Sequence, residues 1–243
     1  MRLHIVNPNT TAAMTQAIAA AAKAAVPADV EIVATEPDFG PASIEGYYDG
    51  AFAVPGLLTR IVEAERSGVS AHVIACFDDT GLDAARSAAR SPVIGIGEAA
   101  YHAASMVALR FSVVTTLSRS IPVIEDNLSR YGLAKRCARV RACEIPVLSL
   151  EQQGGDVEER IGKEIEAARR LDGADAVVLG CAGMAALAKR FSERFQMPVI
   201  DGVAAGAAFA VALVSLGLQT SKAGGYASPS PKSYSGIFSR FAP

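Results

Sequence analysis

Two cysteines of this chain stand where a side chain could do acid–base chemistry. Cys76 closes the apolar run Val73-Ile74-Ala75 and opens Phe77-Asp78-Asp79-Thr80-Gly81. Cys181 closes Ala176-Val177-Val178-Leu179-Gly180 and opens Ala182-Gly183-Met184. They are 105 residues apart, and the segments Pro92-Val93-Ile94 and Pro198-Val199-Ile200 that follow them are 106 apart. So constant a period reads as a duplicated α/β lobe with one thiol at the carboxyl end of a strand in each copy. Two thiols facing one carbon could take a proton from one side and return one to the other. A lone free cysteine is more often a small buried hydrophobe; the equivalence of the two positions argues against that here. Each thiol is expected beside a helix N-terminus, where unpaired N–H groups and the helix dipole favour a thiolate. Asp78 and Asp79 oppose this at the first site unless occupied as a helix cap.

The other reactive residues form no second constellation. Cys137 follows Lys135-Arg136, and Cys143 ends an edge-like strand. No pair has metal-ligand spacing, and His4, His72 and His102 are isolated in the sequence, so no metal site is predicted. Asn7-Pro8-Asn9-Thr10-Thr11 joins the first strand to the first helix, and Val113-Val114-Thr115-Thr116 occupies the equivalent junction in the second half. One of these residues is expected to be an N-cap. The rest could surround a polar ligand, the hydroxyls and helix amides holding an anion or a carbonyl oxygen. Gly95-x-Gly97 lacks the third glycine of a dinucleotide turn.

The elements that must position these groups alternate along the chain. Strands are expected at 3–6, 30–35, 71–76, 93–96, 111–115, 138–143, 174–180 and 199–200, and helices over 10–25, 54–67, 81–89, 98–109, 119–131, 157–171, 184–195 and 203–216. A loop through Pro146 and Gly154-Gly155 lies between the sixth strand and its helix. Such alternation gives a parallel sheet covered on both faces. The fold class is therefore α/β: two pseudo-repeated lobes, each a four-stranded parallel sheet flanked by helices, with the site in the cleft between them. Residues 1–98 with about 206–243 form the first lobe, and 99–205 the second. The tail 223–243 is either a disordered end or an arm on a neighbouring subunit.

Composition narrows the function. With 23 basic and 25 acidic residues the net charge is −2, and no basic block is present, so nucleic acid is not a partner. Four cysteines in 243 residues make no disulfide framework, and a cytoplasmic setting follows. The uncharged segment 202–221 reads as a core helix rather than a membrane span, and the N-terminus is not a signal peptide.

The chain resembles the hydantoin/allantoin racemase branch of the Asp/Glu racemase superfamily. The resemblance rests on Asn7-Pro8-Asn9-Thr10-Thr11, Pro41-Ala42-Ser43-Ile44-Glu45-Gly46, Ala75-Cys76-Phe77-Asp78-Asp79 and Leu179-Gly180-Cys181-Ala182-Gly183-Met184, and spans essentially the full length. It implies cofactor-independent, two-base racemisation next to a carbonyl, one cysteine acting as thiolate and the other as thiol. The amino-acid racemases carry an Asp-Ser-Gly-like first turn and Thr-His after the second thiol. Here Asn and Thr, and Ala182-Gly183, stand instead, which points away from a zwitterionic substrate. The expectation is a homo-oligomeric racemase of 5-monosubstituted hydantoins with Cys76 and Cys181 catalytic. Asn7, Ser43, Phe77, Thr115, Thr116, Ala182 and Gly183 are expected to bind the ring, and Tyr47, Tyr48 and Phe77 the substituent. Allantoin racemisation, small-diacid isomerisation and non-catalytic small-molecule binding are the alternatives.

Overall fold

Short apolar runs and Ala-rich helical stretches fold as two copies of one unit. The computed structural model describes residues 1–151 and 155–243. The first copy runs β1 (Arg2–Val6), α1 (Ala12–Ala25), β2 (Glu31–Thr35), α2 (Tyr47–Arg66), β3 (Ala71–Ile74), α3 (Leu82–Ala88), β4 (Val93–Gly95), α4 (Ile96–Val107). The second runs β5 (Phe111–Thr115), α5 (Ile121–Arg130), β6 (Cys137–Ala142), α6 (Gly155–Leu171), β7 (Ala176–Gly180), α7 (Ala188–Phe195), β8 (Val199–Asp201), α8 (Gly202–Ser215). Gly154, read as part of a loop, lies outside the described residues.

Both sheets are parallel, with the same order: β2-β1-β3-β4 and β6-β5-β7-β8. Strands β3, β5 and β7 are buried along their whole length, as uninterrupted apolar runs require. Successive side chains point to opposite faces. Thus Ala176 and Val178 join a core shared with Leu3, Val73, Phe111 and Val203, while Val177 and Leu179 pack under Ile161, Ile165 and Phe191. Helix α8 packs on α1, α4 and β3, so the end of the chain's second copy returns to the first sheet.

Several boundaries differ from those expected. Helix α2 begins at Tyr47, not residue 54, and carries Pro55 inside it. Proline reads as a first-turn residue, and the preceding stretch, with Gly50 and exposed Tyr47 and Tyr48, has no apolar stripe. The helix expected over 184–195 is a 3₁₀ segment, Ala182–Leu187, followed by α7. His4 and His72, distant in sequence, meet across β1 and β3 with their Nδ1 atoms 2.9 Å apart, and His72 continues to Glu65 at 2.8 Å. Burial first, and then His72, hold His4 down at about 3, so it stays neutral. The tail is an ordered strap on its own first lobe: Lys222 donates to the Arg86 and Ser87 carbonyls, Tyr226 to Asp83, and Phe241 meets Phe39. None of the described helices is long and apolar enough to cross a membrane.

Candidate active site

Equivalent strands bring equivalent junctions together. The ends of β1 and β3 carry Asn9 and Cys76, and those of β5 and β7 carry Thr116 and Cys181; all four border one cavity. Both sulfurs therefore face the same space. Phe77, Asp78, Thr115, Ser120 and Ala182 border it too, and Pro8, Met14, Ile44 and Val147 supply an apolar wall. Among the described residues that line it there is no Arg, Lys or His, and Asp78 is the one with a charged side chain.

Burial pushes both thiols well above the ordinary value, Cys181 to about 12, and the nearby Asp78 adds to the rise at each. The amides two residues on, Asp78 and Gly183, point at the Cys76 and Cys181 sulfurs and work the other way, as does Thr80 Oγ1, 3.4 Å from Cys76 Sγ. The expected helix dipoles are weak because no long helix starts at either cysteine. Cys181 precedes a 3₁₀ segment, and after Cys76 the chain turns through Asp79, at φ 51°, before the seven-residue α3.

Neither aspartate caps α3. The Asp79 carboxylate instead accepts from the Gly97 and Glu98 amides, at 2.9 and 2.8 Å, and so caps α4; Tyr131 at the end of α5 donates to it at 2.8 Å. Burial raises it to about 7 against these three donors. This explains Gly95-x-Gly97: a Cβ at Gly95 would collide with the Asp79 carboxylate, and one at Gly97 with the Phe77 carbonyl. Asp78 has its backbone carbonyl engaged by Asn127 Nδ2 at 2.9 Å and its amide by Cys76, while its carboxylate has no partner among the described residues. Burial alone raises its carboxyl to about 7.

Of the residues expected to bind a ring, Phe77, Thr115, Thr116 and Ala182 border the cavity. Thr115 spends its hydroxyl on the Gly180 carbonyl at 3.1 Å, and Gly183 reaches the site only through its amide. Asn7 does not border the cavity. Its amide is engaged within the turn with Asn9 Oδ1, the Thr11 carbonyl and Thr15 Oγ1; Asn9, which borders the cavity, has its own side chain engaged there as well, its Oδ1 accepting from Asn7 and the Thr11 amide. Ser43 does not line the cavity; its neighbour Ile44 does. Tyr47 and Tyr48 are exposed on α2, outside it. Ser120 was not foreseen. It precedes α5 as its N-cap residue, yet its hydroxyl caps nothing and is left for the cavity. Its signal in the sequence was a serine at the strand–helix junction after Thr116.

The cavity is small, about 40 Å³, and partly open to solvent. A loop, 40–46, covers it. Thr10 donates to the Pro41 carbonyl at 3.0 Å, Thr11 to that of Ala42 at 2.7 Å, and Glu45 accepts from the Val147 amide across the cleft at 2.8 Å. Gly40 and Gly46 sit at φ 124° and 111°, conformations that favour glycine.

Residues 3–210 match the family described as Asp/Glu/Hydantoin racemase. The chain belongs to this family. It is 48% identical over 236 residues to a hydantoin racemase of Rhizobium meliloti, covering 97% of this chain and 98% of that protein. A hydantoin racemase of Pseudomonas sp. (strain NS671) is 45% identical, covering 99% and 97%. In structure the chain matches an allantoin racemase from Klebsiella pneumoniae with TM-score 0.97 and 46% identity, over 100% of this chain and 99% of that one. As a member of the Asp/Glu/Hydantoin racemase family it is an isomerase.

Proposed function

We propose that the chain racemises 5-monosubstituted hydantoins without a cofactor, Cys76 and Cys181 exchanging the C5 proton on opposite faces of the ring. The observation that carries this is the single cavity bordered by both sulfurs at equivalent strand ends. One thiolate takes the C5 proton, and the electron pair passes to the adjacent carbonyl oxygen as an enolate. The opposite thiol gives its proton to the other face, so thiol and thiolate exchange places and the enzyme is set for the reverse reaction. The hydroxyls of Thr116 and Ser120 are the side-chain donors for the enolate oxygen.

A second reading keeps the chemistry and changes the substituent. Allantoin is a hydantoin with a ureido group at C5, and the 46% identity to an allantoin racemase favours it. The wall of Met14, Ile44, Phe77 and Val147 favours a hydrocarbon substituent instead. Proton NMR in deuterated water with enantiopure 5-benzylhydantoin, and separately allantoin, tests both. Loss of the C5 proton together with loss of optical rotation is expected for the benzyl compound. Optical rotation that persists for every hydantoin tried would overturn the proposal.

A further inference from the structure

We infer that Asp78 accepts a hydrogen bond from the ring N–H beside the reacting carbon, and that this contact selects an uncharged cyclic ureide over a carboxylate. The inference rests on the reading of the site as a hydantoin racemase.

The argument starts from what the cavity lacks. Among the described residues its one charged lining side chain is Asp78, and no cation borders it. Among the described residues the Asp78 carboxylate has no hydrogen-bond partner, unlike Asp79, which has three donors. Asp78 is half-buried, so a ligand that brings its carboxylate a donor gains affinity. A ligand carboxylate at the same place would meet like charge with nothing to offset it.

The cavity's other polar groups fix which edge of the ring is involved. Thr116 and Ser120 face the cavity from the second lobe, and the Asp78 amide points at Cys76. Asp78 stands in the first lobe, close enough to both sulfurs for its charge to act on each. Both sulfurs must approach C5, so the nearest ring donor is the nitrogen bonded to C5. Gly183 stands two residues after Cys181, as Asp78 does after Cys76, so the second lobe supplies no matching acceptor and the ring has one orientation. Pairing Asp78 with an N–H also spreads its charge, which eases formation of a thiolate once the substrate is bound.

The test compares 5-benzylhydantoin with its N1-methyl and N3-methyl derivatives in the wild type, Asp78→Ala and Asp78→Asn, by kcat/KM. The wild type should discriminate against the N1-methyl compound by about 10- to 100-fold. Asp78→Ala should narrow that ratio to within about threefold while leaving the N3-methyl ratio unchanged. Asp78→Asn, which keeps the shape and one acceptor oxygen, should fall between and should newly bind succinate as a competitive inhibitor. Wild-type racemisation with an N1-methyl ratio unaltered in both variants would overturn this inference and leave the proposed function standing. A wild type inert toward every hydantoin would overturn both. Should Asp78→Ala fail to fold, the Asp78→Asn ratio and its succinate inhibition decide the matter.

Discussion

Glu45 of the first lobe accepts the Val147 amide of the second at 2.8 Å, and the neighbours Ile44 and Val147 itself form part of the wall around both thiols. This hydrogen bond joins the two sides of the cleft directly over the site. A charged acceptor on a backbone amide contributes about 1.5–3 kcal/mol. Removing it should leave the cover ajar.

Glu45→Ala is therefore expected to lower kcat/KM by about 10- to 100-fold. It should also speed alkylation of Cys76 and Cys181 by iodoacetamide in the substrate-free enzyme. Peptide mass mapping after timed alkylation reads the second effect. A variant whose thiols react no faster than the wild type's would show that Glu45 does not hold the cover.

The separate roles of the thiols are open to exchange measurements. Cys76→Ser and Cys181→Ser should each lose net racemisation by at least about 10³-fold, since a hydroxyl is a far poorer base than a thiolate. The surviving thiol can still remove and return a proton on its own face. Each variant should then exchange the C5 proton of one enantiomer with deuterium and not invert it, with opposite preferences. Cys137→Ser and Cys143→Ser lie outside the cavity and should racemise nearly normally. Near-normal racemisation by Cys181→Ser would exclude a two-base mechanism.

The strands and the repeat were legible because buried parallel strands leave an unmistakable mark: short runs such as Ala176–Gly180 with no polar residue to break them. Both cysteines were legible because each follows such a run at the same point of the repeat. What escaped notice depends on contacts between distant segments. Nothing near Asp79 announces that it caps a helix starting at Ile96, and nothing near Glu45 announces Val147. The Asn7 turn shows the same limit on a smaller scale. Its composition marked a polar turn, but only the fold shows that both asparagine side chains are engaged inside it and that Asn9 borders the cavity. The thiol acidities were misjudged because a local rule about helix ends was outweighed by burial, which belongs to the whole structure.

Asp79 ties the first thiol turn to α4 and to Tyr131 at the end of α5, and Gly95 leaves the room it needs. Gly95→Ala would push a methyl group into the carboxylate and unseat all three donors. A loss of about 3 kcal/mol in unfolding free energy is expected, with activity falling because the Cys76 turn shifts. Gly225, where a Cβ meets nothing within 4 Å, is the control; its change to alanine should alter stability by less than about 0.5 kcal/mol. Urea denaturation of both variants measures the difference, and equal midpoints would show that the Asp79 network carries little of the fold.

The last expectation concerns how the thiols titrate. Burial raises both, and the Asp78 charge raises them further. A raised thiol keeps its proton to higher pH, so the substrate-free enzyme should alkylate slowly at neutral pH. Its rate should climb about tenfold per pH unit, with no plateau below about pH 9, past the roughly 8.5 of a free cysteine. Replacing Asp78 with Asn removes the like charge but not the burial. The profile should then move toward lower pH without reaching that of a free thiol, because burial is the larger cause at both sulfurs. Iodoacetamide kinetics from pH 6 to 10, followed separately at each cysteine by mass spectrometry, measure this. A plateau below about pH 8 in the wild type would mean that a group acting as a cation stabilises the thiolate, and the account of the site's electrostatics would fall.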